Sequence, residues 1–218
     1  MISLFLLSSL FTFAGKKSVE ITVSEKDAVI YANGSEMGTG SAEVIIPAYG
    51  QVTVQVKKVG FLTAEHTFYN MPNKPKAPKT YFFNLIKDDA YEASIKNDQA
   101  NIDFSIVVNE KLSVTDAWKL TTQIVTDYFD AIEVADKETS YLRTAWSIQT
   151  FQQNTVRTRL IIKLGNSNPL TYKIKLVSES SGISGTSVKA DELFKEWDRV
   201  LRKYQNIIGD FSNRVGSK

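Results

Sequence analysis

From residue 29 onward apolar and polar positions alternate. Val29 and Tyr31 are out of phase with Ile30 and Ala32, and the run ends on Asn33-Gly34, a pair that accepts the positive φ angles of a tight hairpin turn. Gly38 and Gly40 free the backbone just before the run 42–46, and Gly50 turns the chain again. Val52, Val54 and Val56 then alternate with Thr53, Gln55 and Lys57. Period-two patterning broken by short turns predicts an antiparallel meander with one buried face. Phe61 leads into a further strand over 63–69, and 81–86 reads as the strand that returns beside it. The proline-bearing stretch 71–80, MPNKPKAPKT, is then a long hairpin loop.

Past residue 88 the pattern changes. The polar stretch 89–101 has little apolar content beyond Tyr91 and Ile95 and reads as a linker. Ile102, Phe104, Ile106 and Val108 alternate with polar residues as a strand. Ser113, three residues before Asp116, starts a helix in the manner of a capping box, and Ala117, Leu120, Ile124, Val125, Tyr128 and Phe129 recur at helical spacing. Strands follow over 131–135, 141–151, 155–164 and 170–177, joined by short polar turns, which predicts an antiparallel sheet. The serine- and glycine-rich stretch 178–187 reads as a mobile loop. Asp191 and Glu192 then open a long C-terminal helix whose stripe is Leu193, Trp197, Val200, Leu201, Tyr204, Ile207 and Ile208, stopping at Gly209.

The 218 residues therefore divide into two domains, an all-β sandwich-like module over 15–88 and an α+β domain over 102–211, joined by the linker 89–101. In the first, the succession Ala-Val-Ile-Tyr-x-Asn-Gly, Gly-x-Gly and Pro-x-x-Gly-x-x-x-Val-x-Val-Lys-Lys-x-Gly-Phe, over residues 28–61, resembles the PEGA family of small β-sandwich modules. That resemblance covers about residues 18–87 and implies a module that binds or spaces. In the second, the order β-α-β-β-β-β-α resembles the helix-grip arrangement related to the TATA-binding-protein-like fold, in which two helices lie on one face of an antiparallel sheet. Thr115-Asp116-Ala117-Trp118, the run 128–134 and Asp136-Lys137-Glu138 resemble the C-subunit lipoprotein family of the outer-membrane β-barrel assembly machine and exported domains of Bacteroidetes. These resemblances imply an accessory subunit of a bacterial envelope complex.

Compartment is read from the N-terminus. Residues 2–13 form an apolar run of signal-peptide length, and Thr12-Phe13-Ala14 supplies small residues at the cleavage positions, so 1–14 reads as a signal peptide cut before Gly15 and the protein as exported and periplasmic, in association with the outer membrane. There is no cysteine, hence no lipobox thiol, no disulfide and no thiolate nucleophile or ligand. A formal charge of +2 advertises no polyanionic partner.

Candidate chemistry is sparse. The single histidine, His66, sits in an alternating strand, and no Gly-x-Ser-x-Gly elbow is present. One histidine and no cysteine leave a transition metal only carboxylate ligands, so no metal or other cofactor is expected. Asp88-Asp89 and the Glu25/Asp27 pair lie in polar turns, and Gly38-Thr39-Gly40 lacks the rest of a phosphate loop. No catalytic residue is assigned, and the chain reads as non-enzymatic.

One feature stands out from solvated strands. If Val156, Thr158, Leu160, Ile162 and Leu164 face the helices, then Arg157, Arg159 and Lys163 face outward with Lys173 and Lys175 of the next strand, and Arg143 joins them. Such a face suits the acidic surface of an envelope or outer-membrane protein, an anionic glycan or a lipid phosphate. Nucleic acid is not an expected partner, because stacking aromatics are sparse there. Protein docking is the favoured function. A periplasmic glycan- or peptidoglycan-binding role is the alternative, for which Tyr49, Phe68 and Tyr69 are the candidate aromatics.

Overall fold

A computed structural model describes residues 15–217, so the apolar run expected as a signal peptide lies outside the described residues. β1 (Lys17–Val23) buries Val19, Ile21 and Val23 on one face. β2 (Val29–Ala32) and β3 (Ser35–Thr39) form the expected hairpin, with Asn33 and Gly34 at φ of 48° and 84°. Asn33 also accepts, through Oδ1, a 2.9 Å hydrogen bond from the Thr53 amide, which ties the turn to a neighbouring strand. After β4 (Ser41–Ile46) come β5 (Gln51–Lys57), β6 (Ala64–Tyr69) and β7 (Thr80–Phe83). Gly40 must be glycine: its φ is +72°, and a Cβ there would fall on the Lys26 carbonyl oxygen.

Two sheets result, ordered β4-β1-β7 and β3-β2-β5-β6, and their inward side chains meet in one core of Val19, Ile21, Val44, Ile46, Ile30, Val54, Val56 and Phe68. The return strand departs from expectation. β7 does not pair with β6; it runs parallel to β1 in the other sheet, with Tyr81 opposite Ile21 and Phe83 opposite Val23. Residues 70–79 thus cross between sheets instead of closing a hairpin. The physical reason is that β1 has two edges and β4 covers one. β7 takes the other and carries Phe83 into the core, a choice that strand periodicity does not encode.

The chain divides at Lys87 and Asp88, where the second compact unit begins. Residues 89–101 are not a linker. They form α1 (Asp89–Glu92), capped by the Asp88 carboxylate on the Ala90 and Tyr91 amides, and β8 (Ser94–Lys96), and Ala90 and Ser94 are wholly buried. β9 (Asp103–Val107) precedes α2 (Val114–Tyr128), which starts at the expected N-cap Ser113. Then follow β10 (Ile132–Asp136), β11 (Tyr141–Thr144), β12 (Ser147–Thr150), β13 (Thr155–Ser167) and β14 (Leu170–Ser180). They build a seven-stranded antiparallel sheet with path β10-β11-β13-β14, β12 also pairing with β13 and β9 with β14, completed by the two-residue β15 (Lys195–Glu196). The expected strand 141–151 is broken at Ala145-Trp146, a break that turns Trp146 outward.

The long C-terminal helix is absent. Asp191–Leu193 is a single 3-10 turn, β16 (Arg199–Leu201) pairs with β8, Arg202–Tyr204 is another 3-10 turn, and the helix α3 (Ile207–Arg214) starts late and contains Gly209. Tertiary pairing wins over the 3.6 period here. The Trp197 amide bonds the Ser178 carbonyl and the Arg202 amide the Ala93 carbonyl, in place of helical partners. Arg199 secures the same pairing from its side chain, donating to Ser94 Oγ (2.8 Å) and to the Tyr91 and Ser94 carbonyls while lying 3.7 Å over the Tyr91 ring. Inside, Ile124 and Val125 of α2 and Ile207, Ile208 and Phe211 of α3 share one core with Leu142, Leu160, Ile162, Ile174 and Leu176 of the sheet. Among the described residues no helix is long and apolar enough to cross a membrane.

Candidate functional site

Strand alternation does put the six basic residues on the side of the large sheet away from this core, but their roles diverge. Register places Arg157 opposite Glu179, Arg159 opposite Val177, Ile161 opposite Lys175 and Arg143, and Lys163 opposite Lys173. Arg157 is not available to a partner. It is 4% exposed, lies between Trp146 and Phe194 at 4.2 and 4.1 Å from their ring centres, and converges on Oε2 of Glu179 through Nε (2.7 Å) and Nη2 (2.6 Å). Its Nη1 reaches the Val188 carbonyl (2.7 Å) and Asp191 (2.5 Å). Arg157 therefore clasps residues 188–194 against the sheet.

That clasp changes the reading of the serine-rich loop. Residues 181–187 are held by a hydrogen-bond set rather than left free: Thr155 Oγ1 donates to the Ile183 carbonyl and accepts from the Thr186 amide, and Ser184 Oγ donates to the Phe151 carbonyl. Small hydroxyl side chains serve here as anchors.

Three more of the cations contact acids, two of them sharing one. Arg143 Nε bonds Glu133 at 3.0 Å, Lys163 Nζ lies 2.8 Å from Asp103, and Lys175 Nζ lies 3.7 Å from the same carboxylate. The Lys163 bond holds the Asp103 carboxyl below its ordinary range. Lys173 forms no ion pair among the described residues, nor does Arg159.

Arg159 is the exception in kind. Its guanidinium stacks 4.0 Å from the Trp146 ring centre, its Nε is buried without a hydrogen-bond partner, and no acid among the described residues pairs with it. Burial, and next the charge of Arg143, push its pKa down. Around it are Val177 and Ile161, both half-buried, and Ile148, 43% exposed, which stands opposite Arg157 on β12. An arginine and a tryptophan amid partly exposed aliphatics is the composition of a protein-interface centre. Sequence reasoning missed Trp146, and with it the aromatic character of this face. Its place two residues before Ile148, on the outward phase of β12, was the available signal.

The other candidates resolve into structure. His66 stands opposite Val54 on β6 as an exposed residue, stacked 4.6 Å from Tyr81 and edge-on to Phe68, and among the described residues neither a carboxylate nor a serine bonds it. Phe68 is 2% exposed and belongs to the core, so it is not an accessible aromatic; Tyr69 carries Lys74 over its ring, and Tyr49 alone of the three stands well exposed. Glu25 and Asp27 receive Lys58 at 2.5 and 2.7 Å, and Lys58 also lies over Phe61, which accounts for the closing Lys-Lys-x-Gly-Phe run as a clamp on the 25–27 turn. Asp88 is the cap of α1, and Asp89 accepts from the Gln152 amide. A cleft of about 690 Å³ on the outer side of β1 and β4 mixes Lys17, Glu20, Glu43 and Lys79 without a histidine. Among the described residues no group of three or more His, Cys, Asp or Glu is placed to hold a metal ion. In comparisons with known proteins, no family model matches the chain and no curated protein matches it.

Proposed function

We propose that the protein is a non-enzymatic docking subunit that engages protein partners through the outer face of its large sheet. The observation that carries this reading is Arg159: a stacked guanidinium without a direct ion pair among the described residues, on a partly apolar face whose other arginines are already paired. Such a group gains most from a partner that brings the missing charge. Its export, and its membership of a bacterial envelope or outer-membrane complex, rest on the leader-like run 2–13 and on the sequence likeness of the second half to envelope lipoproteins. A helix-grip assignment for that half is supported by α2 and α3 sharing the core on the sheet's inner face, although the C-terminal helix is half the expected length. The first unit serves as a spacer or second docking module, in keeping with its PEGA-like strand order.

A photoreactive residue at Ile148, on the outer sheet face, tests the reading against one at Lys119, on the solvent side of α2. Cells expressing the protein should yield a discrete protein adduct from position 148 and none from 119. Equal labelling, or no adduct from the sheet face, would remove the docking assignment.

A further inference from the structure

The outer face also indicates what a partner must bring, an inference that rests on the docking reading above. Arg159 has two terminal amino groups and one Nε, and the Nε is sealed without a partner. The side-on approach through Nε and Nη2, by which Arg157 meets Glu179 Oε2, is therefore closed to Arg159, and the end-on approach through its two terminal groups remains. An end-on guanidinium matches a carboxylate, whose two oxygens present the same spacing. Arg157 meets Glu179 and Asp191, and Arg143 meets Glu133, so three arginines face three carboxylates near Trp146, and Arg159 is the arginine of the three without a direct ion pair. A dianionic phosphate would want a second open cation, and Lys173 lies further along the strands, opposite Lys163 rather than Arg159. Beside those charged neighbours the face is apolar: the Trp146 indole stacks on the guanidinium, Val177 stands opposite Arg159, Ile161 lies two residues along the strand and Ile148 stands opposite Arg157.

We propose that Arg159, on the face it shares with Trp146, Ile148, Ile161 and Val177, receives the carboxylate of an acidic side chain flanked by apolar residues on a partner polypeptide. Stacking on the indole fixes the plane of the guanidinium before the partner arrives, so little side-chain freedom is lost on pairing. Exclusion of water by the apolar neighbours strengthens the pair, as at the centre of other interfaces.

The test uses the full chain labelled with nitrogen-15 and follows the Trp146 indole N–H and the Arg159 side chain during titration with N-acetyl-Leu-Glu-Leu-amide. A saturable shift of both signals is expected, at least 10-fold weaker with the Gln analogue of the peptide and equally weakened in Arg159→Gln, with the Trp118 indole signal unmoved as evidence of an intact core. Lys173→Gln should change the affinity less than about 2-fold, since exposed, distant charges couple weakly. Equal binding of the Glu and Gln peptides, indifference to Arg159→Gln, or tighter saturation by inorganic phosphate or by phosphatidylglycerol vesicles than by the Glu peptide would each overturn the assignment. Photo-crosslinking from Ile148 separates the two levels. If Arg159→Gln retains the adduct, docking stands and the carboxylate role falls; if neither wild type nor variant gives an adduct, the docking reading falls and takes this inference with it.

Discussion

Replacing Arg157 with methionine removes a guanidinium while keeping most of the stem that packs between Trp146 and Phe194. The magnitude follows from what is left behind. Asp191 is 80% exposed, so its pair with Arg157 contributes about 0–1 kcal/mol. Glu179 is 19% exposed and would lose both arginine contacts to its Oε2, and orphaning one member of a buried pair costs about 3–5 kcal/mol. Residual solvent access at Glu179 and the retained packing of methionine place the loss near the lower end, about 3 kcal/mol. The penalty belongs to the stranded carboxylate more than to the missing bonds. The double change Arg157→Met with Glu179→Met should therefore lie within about 1 kcal/mol of the native protein. All three tryptophans, Trp118, Trp146 and Trp197, fall in the second unit, so urea unfolding followed by tryptophan fluorescence reports that unit alone. At an m of about 1.5 kcal/mol/M the single variant should unfold about 2 M earlier. Trypsin should also cut after Lys189 faster than in the native chain, because residues 188–194 lose their clasp. A single variant that loses under about 1 kcal/mol, or a double variant as unstable as the single, would refute the account of a structural arginine.

Three further perturbations test other parts. Tyr128 donates to Asp210 at 2.5 Å across α2 and α3, and burial, followed by that bond, raises its pKa from 10.0 to about 12. Its proton is held more tightly folded than unfolded, so this contribution is intact below pH 10 and lost as pH climbs through about 12; Tyr128→Phe should flatten the fall in fluorescence-detected stability across that window, and an unchanged slope would dismiss the linkage. Gly40→Ala meets both a left-handed φ of +72° and the Lys26 carbonyl, so the first unit should lose about 2 kcal/mol or more, read as an earlier far-UV circular dichroism transition with the tryptophan transition unmoved. Arg199→Met releases the Ser94 and Tyr91 contacts, and hydrogen exchange should quicken in peptides covering 88–96 while those of β13 and β14 keep their protection; uniform acceleration everywhere would mean global unfolding instead.

Local chemistry in this chain was legible where its partners are local. The Asn33-Gly34 turn, the Ser113 cap and the alternation of β5, β13 and β14 follow from residues within a few positions of one another, and the structure carries each of them. Readings failed where the decisive partner is distant. Residues 88–96 look like a polar linker because their satisfaction comes from Arg199 and Arg202, more than 100 positions away. The stripe 193–208 looks helical because buried residues from a short strand, a 3-10 turn and the start of α3 happen to recur at a helical period. Val200 and Leu201 are both buried on a strand whose backbone pairs with β8, a partner more than 100 positions away. β7 was assigned to the wrong sheet for the same cause, since its alternation is equally consistent with either free edge.

The functional face repeats this lesson at the scale of two residues. Arg157 and Arg159 stand on one strand, point the same way and touch the same tryptophan, yet one is bonded to acids 22 and 34 positions further on and the other makes no direct bond to an acid among the described residues. Strand alternation locates both and cannot tell them apart. Arg143 and Arg157 have acids of their own, Lys163 and Lys175 share Asp103, and Arg159 and Lys173 form no ion pair among the described residues. A polyanion gains from a track, because each neutralised phosphate or carboxylate along it adds to the binding. A folded protein partner gains from a single charge in an apolar frame, where water is displaced around one strong contact. The two ends of the face therefore differ: three lysines against one carboxylate suit an anion, whereas the charge-balanced end with Arg159 stacked on Trp146 suits the protein partner proposed above.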